Sequence, residues 1–101
     1  MELRLDEDAM KKVVAFLSKV ATLDESKLNH AQQCFPRALH SIYRRARETG
    51  NVAAAVVAFY DGETTFRVFD NLADAIEAAI EYKEEDAPYV VFSMTNVEVE
   101  G

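Results

Sequence analysis

Carboxylates recur at helical spacing late in the sequence. Asp70, Asp74, Glu77, Glu81 and either Glu84 or Glu85 fall within about a third of a helix circumference. Successive groups in such a ladder rise by about 4.5 to 6 Å along the axis, of the same order as phosphates along a nucleic-acid strand. A surface of this kind can occupy a basic groove in a nucleic-acid-binding protein. Like charges four residues apart cost about a few tenths of a kcal/mol per pair, and Lys83 alone is interspersed to relieve them. The competing reading is a plain solvated face, since a helix lying on a sheet needs a wet side. Asp61 and Glu63 extend the negative potential if the fold brings them near.

A basic cluster precedes this ladder. Arg37, His40, Arg44 and Arg47 follow three-to-four spacing along one helix face, with Arg45 beside them. Such a face can grip phosphates. The whole chain nevertheless carries a net charge of −7, which opposes the approach of nucleic acid. A salt bridge to the acidic helix or a protein contact is the favoured role, and a DNA-reading regulator is the alternative. Residues 1–50 carry nine Lys or Arg against seven Asp or Glu, whereas residues 51–101 carry two against eleven. The excess acid therefore belongs to the second half.

Catalytic and metal chemistry finds little purchase. His30 and Cys34 are four apart and His40 lies six beyond the thiol, which is too few donors for zinc. A Cys–His nucleophile would also need an orienting acid and an oxyanion site, and nothing marks either, so Cys34 reads as a core residue. The three glycines, Gly50, Gly62 and Gly101, cannot build a phosphate-cradling loop. The expectation is a non-enzymatic protein-binding module without cofactor or metal. In size, acidity and lack of catalytic pattern the chain resembles the small inhibitors that mobile elements use against nucleic-acid machinery, anti-CRISPR proteins among them. The resemblance covers gross properties only, no motif carries it, and it assigns no residue a role.

The elements that must position these residues follow from length and pattern. One hundred and one residues, half of them hydrophobic, suit a single domain with its own core. With one cysteine no intrachain disulfide forms, and the start lacks a basic segment followed by an apolar stretch, so a cytoplasmic protein is expected. The longest apolar run, Val52 to Tyr60, is too short to span a membrane.

Asp6-Glu7-Asp8 opens an amphipathic helix with Met10, Val13, Val14, Leu17, Val20 and Ala21 inward and Leu5 stapled to Met10. Thr22 to Glu25 fits a capping box and predicts a second helix there. Pro36 predicts a kink or break near Phe35, with Pro36 starting a new helix whose inner face is Phe35, Ala38, Leu39, Ile42, Tyr43 and Ala46, ended by Gly50. Val52 to Tyr60 then reads as a buried strand, joined through Asp61-Gly62 to a hairpin partner at residues 64–69 that carries Phe66 and Phe69 on opposite sides. A helix capped by Asp70 or Asn71 follows, with Leu72, Ala73, Ile76, Ala79 and Ile80 inward. A last strand runs from Tyr89 to Met94 and resumes near Val97 to Val99.

The expected fold is α+β: N-terminal helices, then β-β-α-β, in a three-stranded antiparallel sheet of order 2-1-3 with the helices mainly on one face. Met1 to Leu5 is a candidate fourth, edge strand, and exposed sheet edges make homodimerisation a further expectation.

Overall fold

A computed structural model describes residues 2–4, 7–93 and 95–97. In chain order the elements are β1 (Glu2–Arg4), α1 (Glu7–Leu23), a single 3-10 turn (Glu25–Lys27), α2 (Leu28–Thr49), β2 (Ala54–Tyr60), β3 (Glu63–Phe69), α3 (Leu72–Glu84), β4 (Tyr89–Ser93) and β5 (Thr95–Val97). The α+β class and the β-β-α-β run stand as expected. The main sheet is three-stranded and antiparallel throughout in the order β3-β2-β4, so the apolar strand β2 is central.

Alternation along β2 sorts the core into two layers. Ala55, Val57 and Phe59 face α1 and α2, joined by Val90 and Phe92 of β4 and by Phe66 and Val68 of β3. Ala54 and Val56 face α3, together with Phe69 and Val91. Two helices thus cover one face and α3 covers the other. Phe66 and Phe69 do fall on opposite sides of β3. The larger layer is cemented by Phe35, whose ring stacks edge-on with Phe16 at 5.7 Å and tilted with Phe92 at 5.8 Å.

The turn chemistry behaves as the residues dictate. Asp61 and Gly62 both take positive φ, the signature of a two-residue hairpin turn whose twist matches its strands. Gly50 closes α2 at φ 77° and donates its N–H to the Ala46 carbonyl at 2.8 Å. Asn71, rather than Asp70, caps α3, accepting from the Asp74 N–H at 2.8 Å.

Three local expectations fail for identifiable reasons. Thr22 does not start a helix, because its hydroxyl bonds back to the Ser18 carbonyl at 3.0 Å and α1 runs on to Leu23. Asp24 is the cap instead, accepting from the Ser26 N–H and hydroxyl to set the 3-10 turn. Pro36 sits inside one continuous α2. The packing of Cys34, Phe35, Ala38 and Ile42 into the same core layer outweighs the missing amide donor.

The inner faces are also rotated relative to expectation. On α1 the buried residues are Ala9, Val13, Phe16 and Val20, leaving Met10 and Val14 exposed. On α2 the inner face extends to Ala31 and Cys34, while Tyr43 turns outward. On α3 only Ala75 and Ala79 are buried, so Leu72, Ala73, Ile76 and Ile80 do not face the sheet as expected. Small alanines let the helix settle closely on β2, and the apolar stripe of Leu72, Ile76 and Ile80 lies beside that contact.

β1 does not join the main sheet. It pairs with β5 antiparallel, Glu2 opposite Val97, as a separate two-stranded ribbon. The expected Leu5 staple, together with Asp6 and Met94, lies outside the described residues. No helix is long and apolar enough to cross a membrane among the described residues.

Candidate functional site

Helix α3 has three distinct stripes, and their arrangement decides what the molecule can present. Ala75 and Ala79 lie on the sheet with Tyr82 packed alongside. One flank carries Asp74, Glu77, Glu81 and Glu85, with Glu84 toward the outer side, at the spacing the sequence predicts. The other carries Leu72, Ile76 and Ile80, which are 45%, 52% and 49% exposed, and then Lys83.

The acidic flank is exposed throughout. Asp70 lies before α3 and is separated in role from the rest. It accepts a hydrogen bond from Arg45 Nε, forming an exposed ion pair that is the only one among the described residues. Asp74 is held locally, with Asn71 Nδ2 donating to its Oδ2 at 3.1 Å. Glu77, Glu81, Glu84 and Glu85 make no ion pair among the described residues, and Lys83 is the one cation interspersed among them on α3. Asp61 and Glu63 lie at the β2–β3 hairpin, both exposed.

The basic residues divide in the same way. Arg37, His40, Arg44 and Arg47 line the outer face of α2, on the opposite side of the sheet from α3. Arg47 lies over the Tyr43 ring at 5.6 Å, and His40, Tyr43, Arg44 and Arg47 share a shallow depression with Glu48. Arg45 points away from this face toward Asp70, which holds its guanidinium above the ordinary arginine pKa through a hydrogen bond and charge attraction. The expected salt bridge between the two helical regions thus reduces to Arg45–Asp70.

Cys34 is buried. Its Sγ donates to the Thr64 carbonyl at 3.7 Å and lies 3.9 Å from His30 Nε2. Burial pushes the thiol pKa up, with Arg37 opposing weakly, so the thiolate a nucleophile needs is disfavoured. Among the described residues no group of three or more His, Cys, Asp or Glu could hold a metal ion.

The sequence predicts exposed sheet edges, but not the groove that lies along one of them. β4 has no outer neighbour among the described residues, and a groove runs along it between α1 and α3. Lys12, Ala15, Phe16 and Lys19 of α1 line one end with Lys83 and Asp86. Asp8, Ala9 and Lys12 line the other with Leu72 and Ile76. The legible signal was the uncharged run Tyr89 to Ser93. The rotation of α3 that turns Leu72 and Ile76 toward this edge was not legible.

No family model, curated protein or solved structure matches the chain. The chemistry of its surfaces is therefore the sole guide to what it does.

Proposed function

We propose that the chain is a non-enzymatic protein-binding module that presents the acidic flank of α3 to a basic surface, as an inhibitor of a nucleic-acid-binding protein would. The observation that carries this reading is the exposed row Glu77, Glu81, Glu84 and Glu85, without an ion pair among the described residues and held on a helix that its alanine face fixes to the sheet. A row of negative charge on a preformed helix can substitute for a phosphate backbone because its backbone needs no further ordering on binding.

The test is capture of a basic nucleic-acid-binding protein by the full chain, followed by affinity measurement at increasing salt. Affinity should fall with salt, and Glu77→Lys with Glu81→Lys should weaken binding by about tenfold or more, as loss of interfacial charge pairs does. Indifference to both changes would sink the proposal.

One observation favours a second reading, a nucleic-acid-binding regulator acting through α2: Arg37, Arg44 and Arg47 are exposed and make no ion pair among the described residues. A mobility-shift titration at low salt separates the two readings. Binding that persists after Arg44→Ala with Arg47→Ala excludes the basic face.

A further inference from the structure

The hydrogen-bond phase of the sheet determines what the open edge offers. Phe59 N–H donates to the Pro88 carbonyl at 2.9 Å, and the β2–β4 register continues from Ala58 opposite Tyr89 to Ala54 opposite Ser93. In an antiparallel ladder bonded pairs alternate. Val90 and Phe92 therefore bond inward to β2, and Tyr89, Val91 and Ser93 direct their N–H and C=O groups outward.

Nothing on β4 blocks pairing. Its sequence Tyr-Val-Val-Phe-Ser has no charge and no proline, two of the usual devices by which an exposed edge avoids pairing. The helices on either side add a recognition pattern. The groove flank of α1 reads Asp8, Lys12, Ala15, Lys19, with its acid at the Ser93 end and Lys19 at the Tyr89 end. The groove is flanked from α3 by Leu72 and Ile76 at the Ser93 end and by Lys83 at the Tyr89 end, with the half-exposed Ile80 on the same helix stripe.

We propose that the β4 edge is the interface of a two-fold homodimer, in which β4 pairs antiparallel with β4 of a second copy to make one continuous six-stranded sheet. Tyr89 then lies opposite Ser93 of the second copy, and Val91 opposite Val91 on the axis. Self-complementarity is what a two-fold contact requires, and the flanks supply it. Reversal about Val91 brings the Asp8 end of each α1 to the Lys19 end of the other, and lays the two α3 stripes side by side with the Leu72 end of each toward the Lys83 end of the other. Lys12, which borders both ends of the groove, comes nearest the axis and faces its own copy. The acidic flanks of α3 remain outside the contact, so this dimer does not depend on the function proposed above.

The test is sedimentation velocity of the full chain over a concentration series, with variants that read separate parts of the geometry. Val91→Pro removes an outward donor without touching the β2–β4 ladder, and should raise the dimer dissociation constant by about tenfold or more. Circular dichroism checks that its fold is kept. If it is not, Ile76→Lys with Ile80→Lys, at exposed positions, should weaken the dimer instead. Asp8→Lys should weaken it, and adding Lys19→Asp should restore it. Lys12→Met should tighten the dimer, whereas it would weaken capture of an acidic peptide. A chain that stays monomeric up to about 1 mM overturns the proposal, also where the edge takes an extended segment of another protein. A dimer unchanged by both the Val91 and the Ile76/Ile80 variants overturns it as well.

Discussion

The two edges of the main sheet solve the same problem in opposite ways. At β3, residues Thr64, Phe66 and Val68 carry the outward backbone groups, and α2 leans over them far enough for the Cys34 thiol to donate to the Thr64 carbonyl. The strand also displays Glu63 and Arg67, and Arg45 straps the end of the strand through Asp70. Charge and cover both discourage pairing there. At β4 the strand is uncharged, the helices stand to either side, and the groove between them is half apolar. One edge of the sheet is thus covered and charged, and the other is uncharged and open among the described residues.

The largest way to break this contrast is to loosen the cover on β3. Ile42 is among the largest fully buried side chains and anchors α2 in the core layer. Ile42→Ala should cost about 2 to 5 kcal/mol of stability by chemical denaturation. It should also make the protein more prone to aggregate as the β3 edge is uncovered.

Next in size is a change on the other face. Ala75→Leu puts bulk where α3 meets β2 and should cost about 1 to 3 kcal/mol. Ile76→Ala, one residue away, should change monomer stability by less than about 0.5 kcal/mol because that side chain is half exposed. Reversed magnitudes would mean that α3 is rotated as the apolar spacing alone suggests.

A smaller effect sharpens the β3 side. Thr64 is buried and its Oγ1 has no hydrogen-bond partner among the described residues. Thr64→Val removes an unsatisfied hydroxyl at nearly constant volume and should stabilise by about 1 kcal/mol in thermal or urea unfolding.

The smallest concerns Cys34. Its folded pKa lies above the ordinary value of 9.0, so the folded state holds the thiol proton more tightly than the unfolded chain. The stabilisation is complete below pH 9.0 and is lost as pH rises from there through the folded value. A pH series comparing the native chain with Cys34→Val should show the two stability curves diverge only above about pH 9. Thiol reagents at neutral pH should react slowly with native protein and quickly in denaturant.

Much of this architecture was legible because particular residues admit few conformations. Asp61-Gly62 could hardly be anything but a tight hairpin turn, Gly50 a left-handed cap, and the charge-free run through β2 a central strand. What was not legible was decided by tertiary packing. Pro36 reads as a break in isolation, yet the buried neighbours on both sides of it hold α2 together. The rotation of α3 was hidden because its alanine and Leu/Ile stripes adjoin, and hydrophobicity alone favours the larger residues. Glu77, Glu81, Glu84 and Glu85 could be placed on the wet face from spacing alone, since either rotation leaves them outside. The ion pair that removes Asp70 from that row depends on where α2 ends relative to β3, a distance no local pattern encodes.

Amide hydrogen exchange resolved by residue measures the contrast between the edges most directly. As protein concentration rises, the N–H groups of Tyr89, Val91 and Ser93 should become protected together, while those of Thr64, Phe66 and Val68 stay unchanged. Protection that is independent of concentration at β4, or that grows instead at β3, would contradict the account.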